Sequence, residues 1–246
     1  MDTIIYYVLT ALAVIITLSI HEYCHGYVAY KLGDSTAKSL GRLTLNPIRH
    51  LDPLGALCML FFHFGWAKPV PINPRYFKNP KRDFAITAIA GPVSNLIVAL
   101  FSAFVYVASF KLLSGIQYQS TFTLSLAQNA LSFLYIFHIV NIGLAIFNLI
   151  PVPPLDGSRL LNVILPQRVY FKIMEYEQTI YFILIGWLLL GGYASSFLLS
   201  FAFVAQNPLL HAIANFLSLS GMLSRLIDLL SGLMLGLFKL IPFLQT

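Results

Sequence analysis

The sequence predicts an all-α polytopic membrane protein of five or six transmembrane helices, with a re-entrant segment, open to a β-hairpin form, near residues 54–70. Three observations predict it. Hydrophobic residues make up 58% of the chain and charged residues 10%, where soluble domains carry about 25% charged residues. Several apolar runs approach the roughly 20 residues that a helix needs to cross a bilayer. Lys and Arg also crowd at the ends of runs that would share one side of a membrane, which is the bias that sets topology. The simplest organisation is one membrane-embedded unit over residues 1–246. The net charge of +6 does not indicate nucleic-acid binding, because no separate basic domain exists to carry it. Cys24 and Cys58 give no disulfide framework.

Residues 3–20 are apolar, Asp2 is the only early charge, and the first basic residue is Lys31. A cleaved secretory signal places its positive end first, so this run reads as a retained helix. It continues to Leu32 and stops at Gly33. The basic residues after it put its far end in the cytoplasm and its N-terminus outside. Nine of the fifteen basic residues lie between Lys31 and Arg82. They flank the run 54–66, which is too short to cross as a helix and sits beside Gly65, Pro69, Pro71 and Pro74, so it reads as dipping in and returning. His63 within it reads as an interfacial residue more readily than as a ligand, having no partner at metal spacing. Residues 84–110 form an outward span with Gly91-Pro92-Val93-Ser94-Asn95 in its first turns, where a kink is expected. There the amide of Asn95 could satisfy freed backbone or meet an extended peptide. Residues 114–125 suit an external loop, and 128–150 return inward with His138 and Asn141 as helix–helix hydrogen bonders. Residues 180–199 give a fourth span with Gly191-Gly192 as a hinge. Past a short apolar piece at 209–220, residues 221–241 give a fifth, with Arg225 and Asp228 paired at i, i+3.

The chemistry concentrates at the inner end of the first helix, in His21-Glu22-Tyr23-Cys24-His25. Histidines four apart share one helix face and can bind one zinc, with the intervening Glu as a general base. At 1.5 Å per residue, His21 lies about 27 Å along the helix from Thr3, near the cytoplasmic side of a ~30 Å core. Ionisable residues in such a setting default to function. The plainer alternative is a pair of core histidines hydrogen-bonded through Glu22. Cys24, three residues from His21, is a minor further candidate ligand.

A hydrolytic zinc takes three protein ligands and keeps one position open. No His follows at the spacing that soluble families use, and the next Glu is Glu175. Asp156 is the best candidate. Pro151, Pro153 and Pro154 end the third helix, so Asp156 stands on irregular backbone, tolerated at membrane depth only within protein or at a cavity. If 54–66 does not cross, the first and third spans run in the same direction and end at the same level, which brings Asp156 to the histidines. A simple Pro-Gly turn residue is the alternative reading of Asp156.

At these residues the chain resembles the site-2 proteases, a family of intramembrane zinc metalloproteases. The resemblance rests on His21 to His25, on Gly91 to Asn95, and on Asn148 through Asp156-Gly157, a form of that family's NxxPxxxxDG pattern. Residues 43–55 and 65–74 also look like its smaller bacterial members, so the resemblance covers about 10–165. It implies a catalytic core at about 1–165 followed by C-terminal helices at about 178–246, with no inserted PDZ or appended CBS domain. It implies one zinc per chain held by His21, His25 and Asp156, with Glu22 as general base. It further implies that Asn148 contacts the substrate backbone or the developing oxyanion, joining Asn95 as a substrate-binding candidate, and that residues 54–70 present a strand edge. The expected partners are transmembrane segments of other proteins and the lipid bilayer, with no nucleic acid, in a bacterial inner membrane and with the site near the cytoplasm. The rival reading is a metal or ion transporter built on the same cluster, but the polar groups gather at one level and no internal repeat is present. An inactive scaffold would have no need of Glu22.

Overall fold

The computed structural model describes residues 3–53, 55, 67–118, 120–201, 206–210 and 219–241. The helices are α1 (Thr3–Lys31), α2 (Thr36–Ser39), α3 (Pro80–Ser114), α4 (Thr121–Leu149), α5 (Gly157–Ile164), α6 (Gln167–Glu175), α7 (Glu177–Leu199) and α8 (Leu219–Lys239). Four of them contain stretches long and apolar enough to cross a membrane, and α7 makes a fifth when its two halves count as one span. The all-α polytopic expectation holds, at the lower of the two span counts. The α7 halves, Glu177–Leu188 and Tyr193–Leu199, meet at 45° across the break that contains Gly191-Gly192, the expected hinge. Among the described residues the expected Arg225–Asp228 ion pair does not form.

α1, α3 and α4 pack together around small residues. Ala13, Thr17, His21, His25 and Ala29 are buried at four-residue intervals along α1, and Ala88, Gly91, Asn95, Ala99 and Ala103 line the facing ridge of α3. In lipid, close approach of backbones through small side chains, together with interhelical hydrogen bonds, does the work that hydrophobicity does in water. Asn141 of α4 donates to Thr17 Oγ1 at 2.9 Å. His138 Nδ1 donates to the Ala99 carbonyl at 2.9 Å, so its Nε2 accepts from Ser231 Oγ of α8 at 3.1 Å. His138 and Asn141 thus join helices as expected. Replacing Ser231 by Ala should lower stability by about 0.6 to 1.7 kcal/mol, read as a lower unfolding temperature in detergent, because it strands His138 Nε2 in an apolar interior. An unchanged transition would mean that α8 is held without this bond.

Two boundaries differ from the sequence reading. α3 begins at Pro80 and ends at Ser114, beyond the 84–110 expected, and runs through Pro92, with Ser94 Oγ donating to the Gly91 carbonyl at 2.6 Å. α4 starts at Thr121, because Ser120 caps it by accepting from the Thr123 amide at 3.2 Å; of the external loop expected at 114–125, the last five residues are the first turn of α4. Leu51 and Ala67 form an antiparallel bridge, and Lys68 donates to the His50 carbonyl at 2.8 Å. The re-entrant or hairpin form expected near residues 54–70 falls mostly outside the described residues. Residues 54 and 56–66, with Cys58 and His63, lie outside the described residues.

Candidate metal centre

α1 delivers two histidines by its own geometry. His21 and His25 are 4% and 5% exposed, one turn apart on the buried ridge, with rings 4.5 Å between centroids and nearly perpendicular at 87°. Their Nε2 atoms are 3.0 Å apart. The third group arrives from 131 residues beyond His25. After α4 ends at Leu149, the prolines turn the chain, and Asp156 stands at the entrance to α5. A Cβ on Gly157 would lie 2.6 Å from the Ile150 carbonyl oxygen and still closer to that of Leu149. Only glycine lets the chain fold back this tightly and present the carboxylate. Asp156 Oδ2 lies 3.0 Å from His21 Nε2 and 3.1 Å from His25 Nε2.

Three donor atoms therefore form a nearly equilateral triangle. Ligands ~2.0–2.1 Å from a tetrahedral zinc are about 3.3 Å from one another, so the triangle is close to the size one ion needs, with a fourth direction open. The described His, Cys, Asp and Glu residues yield this one cluster of three. Cys24 is half-buried and free and is not part of it.

The outer ring nitrogens fit the same purpose. His25 Nδ1 donates to the Thr87 carbonyl at 2.7 Å, which leaves the Nε2 lone pair facing the centre. His21 Nδ1 meets Asn95 Nδ2 at 3.1 Å, while Asn95 Oδ1 is buried without a partner. Turning that carboxamide over lets Oδ1 accept from His21 Nδ1–H and frees His21 Nε2 to ligate, and it also removes the orphaned oxygen. Asn95 is wholly buried, behind His21 and away from any surface that a peptide could reach. This departs from the expectation that it meets substrate. Asn148 is half-buried and donates to Leu144 on its own helix at 3.1 Å; it makes no bond to the triangle.

Glu22, half-buried beside the histidines, accepts from the Val70 amide through Oε2 at 2.8 Å. Sequence reasoning missed this partner, the Thr87 carbonyl, and the need for glycine at 91. A Cβ on Gly91 would stand 2.6 Å from His21 Cε1 and nearer still to His25 Nε2. The Gly91-Pro92 pair was the available signal, but it suggested a kink and not a close approach.

A family model described as peptidase family M50 matches residues 9–192, a longer stretch than the motifs alone delimit, reaching into α7. YwhC of Bacillus subtilis (strain 168), provisionally named a zinc metalloprotease, is 43% identical over 182 residues, 72% of this chain and 80% of that protein. Rip2 of Mycolicibacterium smegmatis, named in the same provisional way, is 29% identical over 153 residues, 58% of this chain and 52% of its own. A zinc metalloprotease of Methanocaldococcus jannaschii is 27% identical over 168 residues, 68% of this chain and 38% of its own. No solved structure matches the chain.

Proposed function

This chain belongs to peptidase family M50, the family of the site-2 proteases, and on that premise we propose that it is a zinc endopeptidase cutting bonds within or beside transmembrane segments of other membrane proteins. The observation that carries the reading is the convergence of His21 Nε2, His25 Nε2 and Asp156 Oδ2 within 3.1 Å of one another, with Glu22 next to them on the helix. Family membership favours this over a transporter built on the same residues.

His21, His25 and Asp156 are the residues that would hold zinc. When bound there, the ion supplies the charge that polarises a carbonyl and the acidity that makes water a nucleophile near neutral pH. Glu22 takes the proton from the attacking water and returns it to the leaving amine. Thr87 and Asn95 keep the two rings turned to the centre, and Asn148 provides an amide donor for the substrate backbone or the oxyanion. A membrane helix hides its carbonyls in its own hydrogen bonds, so the scissile stretch unwinds before attack. The chain sits in a bacterial inner membrane with its N-terminus outside: Lys31, Lys81, Arg82, Arg159 and Arg168 gather at the inner ends of the helices, on the side where Asp156 meets α1.

The test is cleavage of a dye-labelled transmembrane peptide by the purified chain in detergent. Chelation with 1,10-phenanthroline should stop cleavage and added zinc should restore it. Cleavage indifferent to the chelator would contradict the proposal.

A further inference from the structure

Resting on the protease reading, we infer that Arg42 and Asp34 are positioning residues for Glu22, acting through a clamped strap, residues 67–73, whose Val70 amide holds the carboxylate. The strap carries the sequence Ala67-Lys68-Pro69-Val70-Pro71-Ile72-Asn73. Proline on both sides leaves Val70 with the only N–H between residues 69 and 71. Lys68 and Val70 each precede a proline, which confines both to extended backbone. The composition therefore makes a stiff strand with one donor at its middle. That donor lies 2.8 Å from Glu22 Oε2.

Side chains fix the strap at both ends. Arg42 Nη2 donates to the carbonyls of Lys68 at 2.8 Å and Pro69 at 3.3 Å, while the Lys68 amide bonds His50 O at 2.8 Å. At the other end Asp34, wholly buried, accepts from the Asn73 amide at 2.6 Å and also holds the Thr36 amide at 2.9 Å. A charged partner at each end makes these bonds stronger than neutral ones. The Val70 side chain is 6% exposed and lies against Gly26, where a Cβ would stand 3.1 Å from Val70 Cγ1. Packing thus sets how deep the strap sits, and the two ionic clips set where its amide points. One carboxylate oxygen of Glu22 is tied, and no hydrogen bond to the other is found among the described residues. That second oxygen is the one the inference assigns to proton transfer. A base held by a pre-ordered donor loses less freedom on the way to the transition state than one swinging on a three-bond side chain.

Val70→Pro removes the amide hydrogen, and Val70→Ala keeps it as the reference for lost packing. On the labelled transmembrane peptide, Val70→Pro should turn over about 10- to 100-fold more slowly than Val70→Ala, with KM and bound zinc equal in the two. Arg42→Gln should show the same split against wild type: kcat falls while KM and zinc stay. In a Glu22→Gln background, Val70→Pro should add nothing, because the group it orients is already disabled. A loss seen in KM or in zinc content, or an equal loss in Val70→Pro and Val70→Ala, overturns the inference. Hydrogen exchange over residues 67–73, followed by mass spectrometry, tests the clamp without cleavage. Slow exchange in the wild type should become fast in both Arg42→Gln and Glu22→Ala. Unchanged exchange in Arg42→Gln sinks the clamp, whereas failure of the wild type to cut any peptide counts against the protease reading alone.

Discussion

Replacing Glu22 by Gln should reduce cleavage of a labelled transmembrane peptide by a factor of roughly 10² to 10⁴, the usual contribution of a positioned general base, while leaving bound zinc unchanged. The substitution keeps size and shape. An amide oxygen can still accept from the Val70 amide as Glu22 Oε2 does at 2.8 Å, so the strap and the helix remain in place. It removes only the capacity to take and return a proton. His21 and His25 point to the centre through bonds to Asn95 and Thr87 that do not involve Glu22, so the metal affinity has no reason to move. Activity near wild type in Glu22→Gln would assign the base to another residue, and loss of zinc would make Glu22 part of the metal site.

Gly91→Ala is the second large effect, and it acts through space alone. The added methyl falls 2.6 Å from His21 Cε1 and closer to His25 Nε2. Neither ring can yield, since His25 is tied to the Thr87 carbonyl and His21 to Asn95 on the sides away from the centre. Either α1 and α3 move apart along a ridge of small buried residues or the histidines leave their positions. Overpacking of this kind costs about 1–3 kcal/mol, and disturbing the ligand orientation weakens zinc at least about 10- to 100-fold. A chelator-competition titration reads the affinity. Wild-type affinity in Gly91→Ala would show that the histidines do not need the α3 backbone this close.

Much of this was legible before any coordinates. The long apolar runs gave α1, α3, α4, α7 and α8, because a bilayer-spanning helix is specified by composition and length more than by tertiary context. His21 and His25 were legible because four-residue spacing puts them on one face regardless of the fold. Asp156 was legible because three prolines exclude helix there and the charge bias brought its loop to the level of the histidines. What escaped depends on packing between elements distant in sequence. Asn95 lies 74 positions from His21 and Val70 48 positions from Glu22, and no periodicity encodes which side chain meets which backbone amide. For Asn95 the sequence left open freed backbone or an extended peptide as its partner; the close packing of α1 on α3 buries it against the His21 ring. The first residues of α4, 121–125, fell within the expected loop because the helix cap is the single hydroxyl of Ser120, a weak signal beside the polar residues before it. Arg225 and Asp228 have pairing spacing but do not pair, since i, i+3 places side chains near one another without requiring a bond.

The most direct test of the account is the zinc content of the purified chain beside an Asp156→Ala variant, because it needs no substrate. Donor atoms from His21, His25 and Asp156 within 3.1 Å of one another predict about one zinc per wild-type chain and a large loss in the variant, since two imidazoles without the carboxylate fall short of the three protein ligands a catalytic zinc takes. Equal zinc in both chains would contradict the account: Asp156 would then be a turn residue, and the third ligand would have to come from elsewhere.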